Sequence, residues 1–214
     1  MRRLTHLLLS PASRLVRLML GEKRIACDLT PAENPLAHLP VFRELDGTII
    51  VGLWAIIDHL ENEHPERALL PVGAGERAEA LRLFDWAMNN FHEEATKRIV
   101  FEKGSQTQTG NLNRRPPNME TVRLGRLALK EALPALGTLA ETRGFLAGRD
   151  VSLADLAIAA HLSALDYFGE VPWAEQLGLT EWYTRMKSRP SFRPLLSDRV
   201  PGQPPVAHYA ELDF

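Results

Sequence analysis

Two serines stand where a helix is expected to begin, in the run Ser10-Pro11-Ala12-Ser13. A hydroxyl at this place can accept a hydrogen bond from the unpaired backbone amides of the first helical turn, and proline suits the first helical position. The dipole at the same end of a helix also favours an anion. Both serines are therefore candidates for chemistry, although helix capping alone accounts for a serine that precedes Pro11.

Side chains that bind metals or form disulfides are few and scattered. Cys27 is the single cysteine, which excludes an intrachain disulfide and any site built from several thiolates. Four of the histidines lack the spacing of metal ligands, namely His6, His38, His59 and His64. We therefore expect no metal site and a reducing compartment.

A second pair of polar side chains lies late in the chain. Ser152 and Asp155 stand three positions apart, immediately before the apolar run from Leu156 to Leu165. This is the spacing of a capping box, in which the hydroxyl and the carboxylate each bind backbone amides of the first helical turn. We therefore expect Ser152 and Asp155 to stabilise a helix rather than to catalyse a reaction.

The composition is that of an ordinary globular protein, with 45% hydrophobic and 24% charged residues among 214. A net charge of -2 gives no reason to expect a nucleic-acid partner. The basic residues near the start, such as Arg14 and Arg17, are expected on a solvated helix face. No apolar run reaches the roughly 18 residues that a membrane span requires, so we expect a cytoplasmic protein without membrane insertion.

The pattern of apolar residues predicts two different halves. In the first half the predicted order is strand, helix, strand, strand, strand, helix, at residues 3–9, 12–22, 25–29, 39–42, 49–51 and 54–60. The second half predicts helices alone: one long helix over 76–103, a polar loop over 104–119, and further helices over 120–142 and 156–165. The predicted fold class is thus an α/β domain followed by an all-α domain.

Several short motifs resemble the glutathione transferase family. In the first half they are Asn34-Pro35, Leu39-Pro40-Val41, Asp46-Gly47, Ala55-Ile56 and Leu60-Glu61, and in the second half the capping box and the run from Trp182 to Phe192. The resemblance covers about residues 3 to 196. It implies a thioredoxin-like N-terminal domain at 1–68, a linker at 69–75, an all-helical domain at 76–198, and a proline-rich tail at 199–214.

The resemblance also implies a site. In this family a tyrosine, serine or cysteine near the start of the first helix lowers the pKa of the glutathione thiol. Ser10 is the best match to that position, and Ser13 is the second. The family also has a cis bond before the proline that corresponds to Pro40, which presents the preceding backbone to the ligand. The implied ligand pocket comprises Ser10, Leu39, Pro40, Gly52 and Leu53.

The chain departs from the family pattern directly after the fourth predicted strand. Glutathione transferases usually carry Glu-Ser there to hold the γ-glutamyl group, whereas this sequence has Gly52-Leu53. Neither residue supplies a counter-charge or a hydroxyl, so we expect little glutathione affinity and no cofactor. The next residue, Trp54, is expected in the core, and the alternative is a side chain exposed beside the pocket.

The last sixteen residues differ in character from the rest. A proline-rich segment at 199–205 cannot continue a helix, and the ending after it is aromatic, apolar and acidic. Such an ending suggests a partner, with contacts expected from Tyr209, Glu211, Leu212, Asp213 and Phe214. The alternative is that the tail packs on its own domain, which is less expected for the final residues than for the proline segment.

The transferase-like pattern, the missing Glu-Ser pair and the ending together resemble the FtsZ-binding division proteins of alphaproteobacteria. That resemblance implies a homodimer that binds and curves filaments of the tubulin-like protein FtsZ, with the tail in the contact. The leading hypothesis is therefore a non-catalytic adaptor that promotes constriction. The alternative is a glutathione-dependent transferase that uses Ser10 to activate the thiol, and a third possibility is a stress-related protein with another partner.

Overall fold

The computed structural model describes residues 1–32, 39–104 and 116–212. The N-terminal part contains a four-stranded sheet in the order β2-β1-β3-β4, with β1 parallel to β2 and antiparallel to β3. Its elements are β1 (Arg2–His6), α1 (Pro11–Glu22), β2 (Cys27–Pro31), β3 (Val41–Arg43), β4 (Ile49–Val51) and α2 (Leu53–Glu63). The predicted order of strands and helices is confirmed, and only the element ends differ from the prediction.

One face of this sheet is part of the core. Leu4 of β1 lies opposite Phe42 of β3, and both side chains are fully buried. Apolar side chains of α1 and α2, including Leu15, Met19 and Ile56, belong to the same core cluster. The β1–α1–β2 unit thereby fixes where α1 begins, and its start lies next to the first residues of β3.

The remainder is helical, as predicted. Its elements are α3 (Ala74–Trp86), a π-helical segment (Ala87–Thr96), α4 (Lys97–Lys103), α5 (Met119–Arg143), α6 (Leu153–Asp166), α7 (Leu177–Lys187) and α8 (Arg193–Leu196). The predicted helix over 76–103 is therefore interrupted by π-helical turns in its middle. These wider turns still place Phe91 and Ala95 in the core, and such turns are rare in α-helical runs.

Helix α6 forms the centre of the helical part. Every residue from Leu153 to Asp166 is buried, and both α1 and α3 pack against this helix. A helix that is surrounded on all sides shows no polar face, so its amino-acid sequence is apolar almost throughout. In the described part of the chain, no helix combines the length and the apolarity that crossing a bilayer requires.

Candidate functional site

The two candidate serines both stabilise the turn between β1 and α1. Ser10 caps α1, and its hydroxyl accepts a hydrogen bond from the amide of Ser13 at 3.4 Å. Ser13 is fully buried, and its hydroxyl accepts a hydrogen bond from the amide of Leu7 at 3.1 Å. Burial keeps Ser13 away from any ligand, so its assignment as second candidate is wrong. Ser10 is half-buried and remains a candidate.

The other implied pocket residues come together next to this turn. The Leu39-Pro40 bond is cis, as the resemblance implied. The carbonyl oxygen of Pro40 accepts a hydrogen bond from the amide of Gly52 at 3.1 Å. Thr5 of β1 pairs with Val41 of β3, which brings the end of β1 beside the cis bond. We call Ser10, Leu39, Pro40, Gly52 and Leu53 the pocket region.

Gly52 has a backbone conformation that other residues rarely adopt. Its φ is +92°, and it precedes α2 without any side-chain cap. A Cβ atom at this position would meet no atom within 4 Å, so the obstacle to substitution is backbone strain rather than lack of space. Gly52→Glu is consequently strained, and Leu53→Ser alone is the cleaner way to add a polar group to this end of the pocket region.

Trp54 is not in the core, so that expectation is wrong. Its side chain is 56% exposed, and its ring meets the ring of Phe84 edge to face, with 4.6 Å between the centroids. Ile49 and Val51 on the neighbouring edge strand β4 are also about half exposed. Helix α2 begins with its first turn at the surface, and Trp54 therefore covers Phe84 from outside. Together the three exposed side chains form an apolar surface.

A second group of polar residues lies where the tail crosses α1 and α6. The side chain of Arg14 is fully buried there and donates hydrogen bonds to the Leu8 carbonyl at 2.7 Å and to the Ser163 hydroxyl at 2.8 Å. It also donates to the Tyr209 hydroxyl at 2.9 Å and to the Asp198 carboxylate at 3.4 Å. One guanidinium thus joins the β1–α1 turn, α6 and the tail.

Asp198 is the carboxylate of this group. It accepts two hydrogen bonds from Arg17, at 2.7 and 2.8 Å, in addition to the contact with Arg14. We call Arg14, Arg17, Asp198 and Tyr209 the tail junction. The expectation that Arg14 and Arg17 lie on a solvated helix face is wrong, because α6 and the tail cover that side of α1. A pattern of i, i+3 arginines on an otherwise apolar helix is a weak signal of such burial.

Charges at the tail junction also affect His6 at the end of β1. His6 is buried, and its pKa is lowered to about 4, first by desolvation and then by the positive charge of Arg17. The negative charge of Asp198 opposes this shift, whereas Arg14 adds to it. Two guanidinium groups share one carboxylate, so the local charge is positive and His6 stays neutral.

The structure corrects the assignment of Tyr209 as a partner-binding residue. Its side chain is fully buried, and its hydroxyl donates to the Leu195 carbonyl at 2.9 Å while it accepts from Arg14. Burial raises the pKa of Tyr209 above its usual value. The ring fills space over the core, so Tyr209 anchors the tail instead of offering a contact. Glu211 and Leu212 are exposed, whereas Asp213 and Phe214 lie outside the described residues.

The predicted capping box at the start of α6 is present. Asp155 accepts hydrogen bonds from the amide and the hydroxyl of Ser152, at 2.9 and 2.8 Å. It also accepts from the Leu146 amide at 2.8 Å and from the Trp182 indole at 3.0 Å. Burial raises the pKa of Asp155. The two longer-range donors show that this carboxylate also ties α7 and the preceding loop to α6, which spacing alone did not indicate.

Metal-binding groups and the single cysteine are the remaining candidates for chemistry. Within residues 1–32, 39–104 and 116–212, no three His, Cys, Asp or Glu side chains form a group that could hold a metal ion. Burial is the main cause that raises the pKa of the Cys27 thiol to about 11. This thiol is therefore protonated at neutral pH and is a poor nucleophile.

Two family models match the chain, namely the glutathione S-transferase N-terminal domain at residues 4–68 and the glutathione S-transferase C-terminal domain at residues 118–190. FtsZ-localized protein A of Caulobacter vibrioides is 42% identical over 227 residues. That match covers 100% of this chain and 98% of the relative.

Solved structures give the same two similarities. FzlA from C. crescentus has a TM-score of 0.92 at 41% identity, and the match covers 100% of this chain and 99% of that one. A glutathione S-transferase from Rhodospirillum rubrum F11 has a TM-score of 0.93 at 40% identity, with 100% of both chains covered. The chain is thus similar along its whole length both to a protein named for FtsZ and to a protein named as a transferase.

Proposed function

The chain belongs to the glutathione S-transferase family, and we propose that within it the chain is a non-catalytic adaptor that binds FtsZ filaments, curves them and promotes constriction. Its similarity to FtsZ-localized protein A supports this proposal, because it extends over the whole chain, tail included. Such a partner would place the protein in the cytoplasm. The proposal requires no cofactor.

The observation that carries the proposal is the way the chain ends. Tyr209 is fully buried, and the residues that follow it, Ala210, Glu211 and Leu212, are exposed. Leu212 is 44% exposed although it is a leucine. Exposed apolar and acidic side chains directly after a buried anchor, here Leu212 and Glu211, offer a partner both buriable area and charge.

Co-sedimentation with polymerised FtsZ tests this proposal. We expect the full chain to pellet with the filaments and Leu212→Ala to pellet less. The matched control is Leu177→Ala, because Leu177 is a leucine with 75% exposure on the helical part, away from the tail. Equal binding by the unchanged chain and by a chain that lacks residues 211–214 would contradict the role of the tail.

Two single changes separate the contributions of the final residues. Phe214→Ala should mainly speed dissociation, because an aromatic ring offers a partner a large apolar area to bury. Asp213→Asn should chiefly slow an association that depends on salt. Dissociation and association rates on immobilised FtsZ filaments at two salt concentrations would distinguish these effects.

We also propose that the adaptor is a homodimer. The surface formed by Ile49, Val51 and Trp54 is apolar and exposed, and β4 lies at the edge of the sheet. Such a surface favours association between copies. Light scattering should give the mass of two chains, and Trp54→Glu should give the mass of one. The control is Val72→Glu, since Val72 is 97% exposed and lies outside this surface.

The transferase alternative is favoured by the similarity to the glutathione S-transferase from R. rubrum. Against it, Gly52 and Leu53 supply no polar side chain for the γ-glutamyl group. Calorimetry with glutathione decides between the two hypotheses, and we expect no saturable binding at low millimolar concentration. Tight binding together with thiol conjugation that Ser10→Ala abolishes would establish the enzyme instead.

A further inference from the structure

We infer that Arg14 and Tyr209 are positioning residues: they fix the point at which the end of the chain leaves the fold, and they thereby set the affinity of that end for its partner. This inference rests on the proposed function. Exposure changes sharply along the tail, since Tyr209 is fully buried and Leu212, three residues later, is 44% exposed.

The hydroxyl of Tyr209 is held from two directions. It donates to the carbonyl of Leu195 on α8 at 2.9 Å and accepts from a terminal nitrogen of Arg14 at 2.9 Å. Arg14 is held in turn by the Leu8 carbonyl and the Ser163 hydroxyl. Because these partners belong to different elements, the position of the hydroxyl is defined by the assembled fold and not by its own segment.

The residues just before Tyr209 have anchors of their own. The amide of Val206 donates to the Tyr167 carbonyl at 3.2 Å, and a ring nitrogen of His208 lies 3.2 Å from the Asp166 carboxylate. The tail upstream of Tyr209 therefore stays attached when the hydroxyl is removed. What the hydroxyl adds is the fixed direction of the residues that follow it.

This direction matters because a flexible segment must be ordered when it binds. Ordering a backbone has a substantial entropic cost per residue, and a segment that is already held avoids part of that cost. Loss of the Tyr209 hydroxyl also leaves a buried Arg14 donor without its acceptor, which loosens the junction further. The chain end should then bind its partner about tenfold more weakly, with its own contact residues unchanged.

The test compares Tyr209→Phe with Thr96→Val in the full chain. The Thr96 hydroxyl is also buried and lies 2.9 Å from a ring nitrogen of His161, but Thr96 belongs to the π-helical segment rather than to the tail, so its variant controls for loss of a buried hydroxyl. A nitroxide on Ala210→Cys, in a Cys27→Ser background, reports how the end of the chain moves. FtsZ affinity is measured on the same proteins without the label, and melting temperature reports folding.

We expect Tyr209→Phe to fold, to show a more mobile label and to bind FtsZ about tenfold more weakly, while Thr96→Val changes neither mobility nor affinity. A peptide of residues 206–214 should bind far more weakly than the full chain. Unchanged label mobility, or equal affinity despite a mobile label, would overturn the inference, as would a peptide that binds as tightly as the full chain. If the unchanged chain does not bind FtsZ at all, the proposed function is itself wrong, which is a different result from equal binding by the variants.

Discussion

The pocket region and the tail junction both lie at the start of α1, yet they differ in their polar groups. In the pocket region the backbone geometry of the family is kept, with a cis bond before Pro40, but Gly52 and Leu53 offer no polar side chain to a ligand. In the tail junction, Arg14 and Arg17 are buried together and share the carboxylate of Asp198.

This difference shows that the chain buries its charged side chains at the tail junction and not in the pocket region. Removal of two guanidinium groups from water has a large desolvation free energy, and only hydrogen bonds with good geometry offset it. Here those bonds hold the tail to the domain that contains α1. We expect a pocket region without a polar side chain at positions 52 and 53 to bind glutathione weakly, whereas a firmly held tail suits a binding role.

The largest expected effect comes from Asp198→Ala in the tail junction. Removal of the carboxylate leaves Arg14 and Arg17 buried without an anionic partner, which should lower the free energy of unfolding by about 3–5 kcal/mol. Urea unfolding measures the change. As a control, Glu120→Ala removes an exposed partner of Arg123 and should have little effect. A small loss for Asp198→Ala would mean that water reaches the junction.

Two truncations define where the anchored part of the tail ends. Removal of residues 209–214 deletes the buried Tyr209 ring and should lower the free energy of unfolding by about 3 kcal/mol, as large aromatic truncations do. Removal of residues 211–214 takes only exposed or undescribed residues and should leave stability unchanged. Thermal and urea unfolding of both truncated chains check the difference. Equal stabilities would show that Tyr209 does not anchor the tail.

Acid should lower the free energy of unfolding through His6. The pKa of His6 is about 4 in the fold and near 6.5 when unfolded, so the unfolded chain takes up its proton first as pH falls. The contribution of neutral His6 to the free energy of unfolding is fully present above pH 6.5 and is lost between pH 6.5 and 4, by about 3 kcal/mol. His6→Leu should flatten this part of the profile. Some dependence of the free energy of unfolding on pH should persist in this variant, because burial also lowers the pKa of His161.

The smallest effect is expected in the pocket region. Ser10→Ala removes the cap of α1 and should lower the free energy of unfolding by about 1 kcal/mol, without any change in FtsZ binding. Ser152→Ala is a matched control, since it removes the capping hydroxyl of α6. If Ser10→Ala abolished a glutathione-dependent activity while stability stayed the same, the pocket region would be the functional one.

Local features of the fold were predictable from the sequence. The period of apolar residues placed α1, α2 and α6, and the spacing of Ser152 and Asp155 indicated the capping box. The cis bond before Pro40 was implied only by the family resemblance. Trp54 was misplaced, because a tryptophan is usually buried and the period of α2 does not say which of its sides a second element covers.

The sequence by itself determined which segments are helices and strands and which polar anchor is missing after β4, since these depend on residues close together in the chain. Only the tertiary structure decided that Arg14 meets Asp198, 184 positions away, and Tyr209, 195 positions away. Taken alone, Arg14 and Arg17 indicate a solvated helix face, and Tyr209 indicates a contact for a partner. Burial of a charge becomes stable only once its distant partners are in place, and so a local pattern gives at most a weak signal of it.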